Sequence, residues 1–163
     1  MEIDYSIDLV GYDFSNQRIS IDPQRVKEKR LNMCNFENVD LTGADFTGVD
    51  IQCCNFKGAK VKIDPQKVLN KVLTYVNLEG IDMSEADFTG AVIAGTNLKD
   101  TNAHIDLSKL LCKELGGSNL ENCNLEHSDF TDAVLFHTNL KGTMAHINPQ
   151  KVFEKSIISC NLE

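Results

Sequence analysis

Six cysteines are the side chains of this chain that are best suited to metal binding or nucleophilic chemistry. A structural zinc site needs four converging ligands, commonly with two of them in a Cys-x-x-Cys pair, and the sequence contains no such pair. The adjacent Cys53 and Cys54 would point to opposite sides of an extended backbone. We therefore expect no metal or other cofactor, and reduced thiols that pack as small apolar groups, as is usual in a cytoplasmic protein.

The four histidines show no arrangement that suggests catalysis. His104 and His146 are 42 residues apart and His127 and His137 are ten residues apart, without a carboxylate or hydroxyl group placed to form a proton relay. Motifs of serine hydrolases, zinc proteases, phosphate-binding loops and dinucleotide-binding folds are absent. The sequence therefore predicts a protein that is not an enzyme.

A five-residue repeat contains most of the aspartates and asparagines. Residues 34–58 read CNFEN, VDLTG, ADFTG, VDIQC, CNFKG, and the pattern returns over 76–100 and 118–142. Each quintet has a large apolar residue at its centre, Asp or Asn before it, and a small or medium-sized residue before that. A period of five fits neither an α-helix nor a β-strand, so it indicates a recurring turn whose backbone the polar side chain can bond.

A second period of 42 residues contains the first. Segments that begin IDPQ, IDPQ, IDLS and INPQ start at Ile21, Ile63, Ile105 and Ile147. Forty-two residues are eight quintets plus two residues. If four quintets form one coil, each 42-residue unit therefore forms two coils. Cys34, Cys54, Cys123 and Cys160 then occupy small inward positions, and a disulfide between the neighbours Cys34 and Cys54 stays open as an alternative.

The large inward residues then fall into four columns that contain no polar residue. The first column is Leu9, Leu31, Ile51, Leu73, Ile93, Leu115, Leu135 and Ile157. The second is Phe14, Phe36, Phe56, Leu78, Leu98, Leu120, Leu140 and Leu162. The third is Val26, Phe46, Val68, Phe88, Leu110, Phe130 and Val152. The fourth is Ile19, Leu41, Val61, Met83, Ala103, Leu125 and Ala145.

From about Ile7 to Leu162 the repeat resembles the pentapeptide-repeat family, whose consensus is A(D/N)LXX. The resemblance implies an all-β solenoid, a right-handed quadrilateral β-helix, here with about eight coils in a single domain over residues 1–163. Asp22, Asp64, Asp106 and Asn148 are good helix N-caps, and proline follows three of them. We therefore expect a short helix of two turns at one corner of every second coil, near residues 22–30, 64–72, 106–114 and 148–156.

Two outward features are candidate interaction surfaces. The four predicted helices share one corner and carry cations four residues apart, which would form a vertical basic stripe. A solvated helix face is the alternative for these cations. The stripe is Arg25, Lys29, Lys67, Lys71, Lys109, Lys113, Lys151 and Lys155. Outward apolar residues beside the first column form a candidate patch for self-association or a partner, unless they are scattered surface aliphatics. This patch is Val72, Val92, Val134, Phe136 and Ile158, with Ala94 between them.

The formal net charge is −8, from 24 acidic and 16 basic residues, which disfavours direct binding of nucleic acid. No apolar run is long enough to cross a membrane, and the acidic N-terminus is unlike a signal peptide, so we expect a cytoplasmic protein. The regular repeat favours a non-catalytic scaffold for a protein partner. The resemblance also implies an alternative, an acidic bacterial rod that mimics DNA and protects or inhibits DNA gyrase, conferring quinolone tolerance. Polyanion binding through the basic stripe is a weaker alternative.

The last coil stops without a capping helix at Cys160-Asn161-Leu162-Glu163. An uncapped coil exposes apolar surface and unpaired backbone. We therefore expect either a fragment of a longer array or a homodimer formed through the open C-terminal end, which is a habit of several members of the resembled family.

Overall fold

Parallel bridges between successive turns of the chain define the fold. The computed structural model describes residues 3–15 and 21–162, and the pairing in this part of the chain consists of isolated parallel bridges. Seven of these bridges join residues that are alternately 22 and 20 residues apart. The chain therefore winds into alternating longer and shorter coils, and one coil of each kind makes up the longer period of the sequence. The bridged residues are Asp13, Asn35, Asn55, Asn77, Asn97, Asn119, Asn139 and Asn161.

The five-residue period corresponds to one tight turn for each side of a coil. The carbonyl of a central apolar residue accepts the N–H three residues later, as in Leu31 with Cys34 at 3.1 Å and Phe36 with Val39 at 3.0 Å. The polar residue before the centre bonds the N–H two residues later, as Asp40 Oδ1 does with Thr42 at 3.0 Å. Asp and Asn at this position thus close the turn, as the repeat predicts.

The four predicted inward columns form the hydrophobic core. Their described members are buried with four exceptions: Val61, Ala145 and Ile157 are half-buried, and Leu162 is 52% exposed. Ile19 lies outside the described residues. Phe14, Phe36 and Phe56 stack face to face on successive coils, with ring centroids 5.0 and 5.1 Å apart.

The predicted two-turn helices near 22–30, 64–72, 106–114 and 148–156 are wrong in length. Each segment contains one 3-10 turn: Pro23–Arg25, Leu69–Lys71, Leu107–Lys109 and Phe153–Lys155. The reason is that these segments keep their bonds to the coil below. Lys67 C=O accepts from Gly48 N–H at 2.8 Å, and Leu69 N–H donates to Val49 C=O at 2.9 Å. A longer helix would need the same groups for its internal hydrogen bonds.

Small inward side chains add a second set of bonds between coils. Cys34 Sγ donates to Leu9 C=O at 2.8 Å, Cys54 Sγ to Leu31 C=O at 2.8 Å, and Thr96 Oγ1 to Leu73 C=O at 2.6 Å. Ser118 and Thr138 continue the series at 2.9 and 2.8 Å. Thiols and hydroxyls are therefore interchangeable here, because each supplies one short donor to a carbonyl of the preceding coil.

Candidate interaction surfaces

The cysteines are placed as structural groups. All six are free, so the alternative of a disulfide between Cys34 and Cys54 is not realised. Burial raises the pKa of Cys34 and of Cys123 to about 11, and it raises the pKa of Cys54 further. These thiols stay protonated at neutral pH and act as hydrogen-bond donors. Cys53 and Cys112 are exposed.

The histidines do not come together. His104, His127, His137 and His146 are all exposed. Within residues 3–15 and 21–162, no three His, Cys, Asp or Glu side chains are arranged to hold a metal ion. A surface depression of about 550 Å³ is lined by residues 44–46, 61–64, 66–67 and 82–87, with Asp45, Asp64 and Asp87 beside Lys62 and Lys67. It is an open groove between coils, lined by charges of both signs.

Some cations of the predicted basic stripe bind other groups of the protein, and the others project into solvent. Lys71 Nζ donates to Thr89 C=O at 3.2 Å, and Lys113 Nζ donates to the carbonyls of Asp129 and Thr131 at 2.8 and 2.9 Å. These two cations bind the backbone of the next coil. Lys29 is half-buried, Arg25 lies over the ring of Tyr5 at 4.1 Å, and the side chain of Lys155 lies outside the described part.

The remaining cations of the stripe project into solvent, and two of the three lie close to an acid. Lys67 and Lys109 have side chains that are 60% and 62% exposed, and Lys151 is exposed. Lys67 lies 3.9 Å from Asp64, and Lys109 lies 3.6 Å from Asp106. Such exposed pairs stabilise a fold by well under ~1 kcal/mol and leave the charges accessible.

The intervening coils place further carboxylates on the same face, which the sequence interpretation missed. Asp45, Asp87 and Asp129 each precede an inward phenylalanine and lie near the lysines of the stripe. Asp129 is 3.4 Å from Lys113 of the stripe, and Asp45 is 3.7 Å from Lys27, a lysine beside the stripe. Hydrogen bonds from Thr131 and the charge of Lys113 lower the pKa of Asp129 to about 2. The signal was available in the sequence, because these aspartates recur once in every two-coil unit, between the helical segments.

The candidate apolar patch lies on the face of the first inward column. Val72 and Val92 are paired by a parallel bridge, and Val134 is paired with Glu114. Val72, Val92, Val134 and Phe136 are half-buried, while Ile158 is 58% exposed. The structure therefore brings the patch residues to one face, although Glu114 lies between the Val72–Val92 pair and Val134.

A different side of the rod carries polar and charged side chains that are paired with one another. Asparagines of successive coils are joined by side-chain hydrogen bonds, as from Asn77 Nδ2 to Asn55 Oδ1 at 2.9 Å and from Asn97 Nδ2 to Asn77 Oδ1 at 3.0 Å. We call this series the asparagine ladder. Beside it, Lys57 pairs with Glu79 at 3.1 Å and Lys99 with Glu121 at 3.3 Å. Since both sets of groups are already partnered, this side is suited to stabilising the rod.

The repeat that builds these coils matches a known protein family. The model of the family described as pentapeptide repeats matches residues 30–62, 72–102 and 114–144 with eight copies, which is more than half of the chain. The chain belongs to the pentapeptide-repeat family. Pentapeptide-repeat proteins fold as right-handed β-helices, and their parallel coils agree with the bridges described above.

Two solved pentapeptide-repeat structures are similar at low sequence identity. One is full-length QnrB1, a plasmid-mediated fluoroquinolone resistance protein, at 16% identity and a TM-score of 0.38, covering 96% of this chain and 92% of that chain. The other is HetL, involved in heterocyst differentiation regulation in Nostoc sp. strain PCC 7120, at 17% identity and a TM-score of 0.26, covering 99% of this chain and 85% of that chain. None of the curated proteins matches the chain. In the described residues, no helix is long and apolar enough to span a membrane.

Proposed function

We propose that this pentapeptide-repeat protein is a non-catalytic scaffold that binds a protein partner through an outer face of its rod. One observation carries the proposal. In the part of the chain that the structure describes, nearly all inward side chains are buried and successive coils are joined by backbone hydrogen bonds, so chemical variety lies mainly at outward positions. Thiols with raised pKa and dispersed, exposed histidines supply no nucleophile or general base with an oriented partner. The proposed scaffold is one domain over residues 1–163, acting in the cytoplasm.

The experiment is affinity capture with matched surface variants. Wild type would be compared with Lys67→Glu/Lys109→Glu/Lys151→Glu for the stripe and with Val92→Asp/Val134→Asp/Phe136→Asp for the patch. We expect wild type to retain one partner protein, and we expect one variant to lose this partner while the other variant keeps it. Both variants should keep the thermal transition of wild type. Retention that is equal for both variants and for heat-denatured protein would contradict the proposal.

A second candidate function is modulation of DNA gyrase by an acidic rod that mimics duplex DNA. Its support is the net charge of −8 together with outward carboxylates whose pKa is lowered by turn hydrogen bonds, as at Asp40, Asp82 and Asp87. These groups keep their negative charge under all physiological conditions. A supercoiling assay with and without a quinolone tests this candidate, and unchanged gyrase activity and unchanged drug sensitivity at saturating protein would exclude it.

Polyanion binding is a third and weaker candidate. It rests on the exposed cations Lys67, Lys109 and Lys151, since Lys71 and Lys113 are already bound to carbonyl groups. If these three cations bind phosphates, the affinity for duplex DNA should fall steeply with salt, and the Lys→Glu triple variant should remove binding. A salt-independent or unmeasurable affinity would exclude this candidate.

Self-association through the last coil also stays a proposal. Leu162 and Ile158 are 52% and 58% exposed, and a depression of about 350 Å³ is lined by Leu140, Ala145, Ile147 and Leu162. Apolar groups of this kind pack against a second copy in many symmetric dimers. Leu162→Asp should then lower the sedimenting mass at high protein concentration, and an unchanged mass would exclude this end as the interface.

A further inference from the structure

The face outside the third inward column alternates in both charge and size from one coil to the next. Val68, Leu110 and Val152 have extended backbones, so the residues before and after each of them point outward together. We call these two series the charge column and the size column, and together the alternating face. The charge column is Arg25, Asp45, Lys67, Asp87, Lys109, Asp129 and Lys151. The size column is Lys27, Thr47, Leu69, Thr89, Leu111, Thr131 and Phe153.

The backbone holds these coils directly above one another. Gly48 N–H donates to Lys67 C=O at 2.8 Å, and the equivalent bonds from Gly90 to Lys109 and from Asp132 to Lys151 are 2.7 and 2.8 Å. With coils about 4.8 Å apart, successive large side chains are about 9.6 Å apart. Between them lies a coil that presents threonine followed by Gly48, Gly90 or Asp132, so the size column is a row of projections separated by slots.

The projections are large apolar groups that the fold leaves in solvent. Leu69, Leu111 and Phe153 are 41%, 69% and 45% exposed. The charges beside them are exposed as well, with 51% for the side chain of Asp45, 62% for Lys109 and 64% for Asp129. A regular row of exposed apolar side chains bordered by charge is typical of a protein interaction surface.

We propose that the alternating face binds the alternating face of a second copy of this chain, with the two rods antiparallel and offset by one coil. A two-fold axis in the interface and perpendicular to the rods brings charge column onto charge column and size column onto size column. With the offset, each lysine faces an aspartate and each large side chain faces a threonine slot. The facing pairs are Lys67 with Asp129, Asp87 with Lys109, Asp45 with Lys151, Leu69 with Thr131, Thr89 with Leu111, and Thr47 with Phe153.

Other arrangements of the same two faces are unfavourable. Antiparallel rods without the offset place Lys67 against Lys109 and Leu69 against Leu111, which leaves like charges in contact and the slots empty. A two-fold axis parallel to the rods places the charge column against the size column, so that Lys67 and Asp87 lose water without gaining a partner. Both patterns therefore exclude every antiparallel offset by an even number of coils. Among the odd offsets, the register given above is the one in which all three apolar projections face a threonine slot.

The contact covers six coils but only one side of each coil, which is a small interface. Interfaces below about 1,200 Å² are characteristic of weak or transient association. We therefore expect dimers at micromolar rather than nanomolar concentration, weakened by salt because the facing charges are partly solvated.

The test is a reciprocal charge exchange followed by sedimentation equilibrium at low salt over a wide concentration range. Asp87→Lys alone creates two Lys–Lys contacts in the dimer, and Lys109→Asp alone creates two Asp–Asp contacts. An equimolar mixture of the two variants restores both oppositely charged pairs, because position 87 of each variant then faces position 109 of the other. We expect each variant to dimerise about tenfold or more weakly than wild type, and the mixture to associate as well as wild type.

Two controls separate this effect from damage to the fold. Asp82→Lys changes a residue on a different face. It removes the hydrogen bond from the N–H of Ser84 to Asp82 at 3.1 Å, which is equivalent to the bond from the N–H of Thr89 to Asp87 at 2.9 Å. It should leave dimerisation unchanged. Leu111→Thr changes only an exposed projection and should weaken the dimer. A wild type that is monomeric throughout, a mixture that associates no better than its components, or a dimer lost only with Leu162→Asp would each overturn the proposal.

Discussion

The ring of Tyr75 lies against the α-carbon of Gly95 on the next coil, in the space that a β-carbon at position 95 would occupy. Tyr75 is 65% exposed, so its ring covers the corner of the rod from the outside. Gly95 also has a φ of +67°, in the left-handed region that disfavours a side chain. Two separate physical effects therefore require glycine at this corner.

Gly95→Ala should destabilise the protein more than Gly117→Ala. Gly117 has a similar φ of +72°, but its nearest neighbour would be 3.9 Å from an added β-carbon. The left-handed backbone should cost about 1 kcal/mol in both variants, and the contact with the Tyr75 ring should cost about 1–3 kcal/mol more in Gly95→Ala. Urea denaturation measures both, and Tyr75→Ser/Gly95→Ala should return to the Gly117→Ala value. Equal losses for the two single variants would show that the ring contact does not matter.

Asn77→Asp should weaken the asparagine ladder. The Asn77 amide donates to Asn55 Oδ1, and its own Oδ1 accepts from Asn97 and from the N–H of Glu79. A carboxylate keeps the accepting role but faces the Asn55 oxygen without a proton to donate, so we expect a loss of about 1–3 kcal/mol at neutral pH. Asn124→Asp is the matched control, because Asn124 Oδ1 bonds the N–H of Glu126 and its amide has no ladder partner in the described structure. Similar free energies of unfolding for both variants would contradict this role of the ladder.

The buried thiols should make the protein less stable in alkali. The pKa of Cys34 is raised from 9.0 to about 11, so the folded state holds its proton more tightly than the unfolded state. The stabilisation is complete below pH 9 and is lost as the pH rises towards 11. Cys34→Ser keeps a donor for the Leu9 carbonyl and does not titrate in this range. The free energy of unfolding of wild type should therefore fall relative to Cys34→Ser between pH 9 and 11, and parallel pH profiles would contradict the prediction.

Acid should weaken the turns closed by aspartate. The pKa of Asp129 is lowered to about 2 by hydrogen bonds from Thr131 and by the charge of Lys113. Its contribution is present above the ordinary aspartate pKa of 3.8 and is lost as the pH falls towards 2. Thermal melting of wild type and Asp129→Asn between pH 5 and pH 2 should show a smaller acid dependence in the variant. If the variant loses stability in acid as steeply as wild type, the acid dependence arises from other carboxylates and the prediction for Asp129 is contradicted.

The core could be predicted from the repeat, because the residues that recur with the five-residue period are the same residues that the fold buries. Phe36, Ile51 and Leu78 could be assigned inward from spacing alone, since a wrong period would place polar residues among them. The turn-closing role of Asp40 was predictable for the same reason. Hydrogen bonds within one quintet follow directly from local sequence.

The one-turn segments were harder to predict, because the Asp-Pro pattern describes only how a helix begins. Gly48 and Val49 bind the segment around Lys67 from the coil below, and that competition appears only when the coils are stacked. The same limit applies to the basic stripe. Lys67 and Asp45 lie on successive coils and are distant in the sequence, so their proximity depends on the register between coils. The helical segments alone therefore indicate a face of one sign.

The central claim is that the rod acts by presenting an outer face to a protein. Carboxyl footprinting of the protein with its captured partner tests it most directly, because Asp and Glu lie on all sides of the rod. We predict protection that recurs along the sequence once in every coil or once in every second coil, as one face of a coiled chain requires, with the opposite side labelled as in the free protein. Protection confined to one continuous stretch of sequence, or uniform over all sides, would contradict the claim.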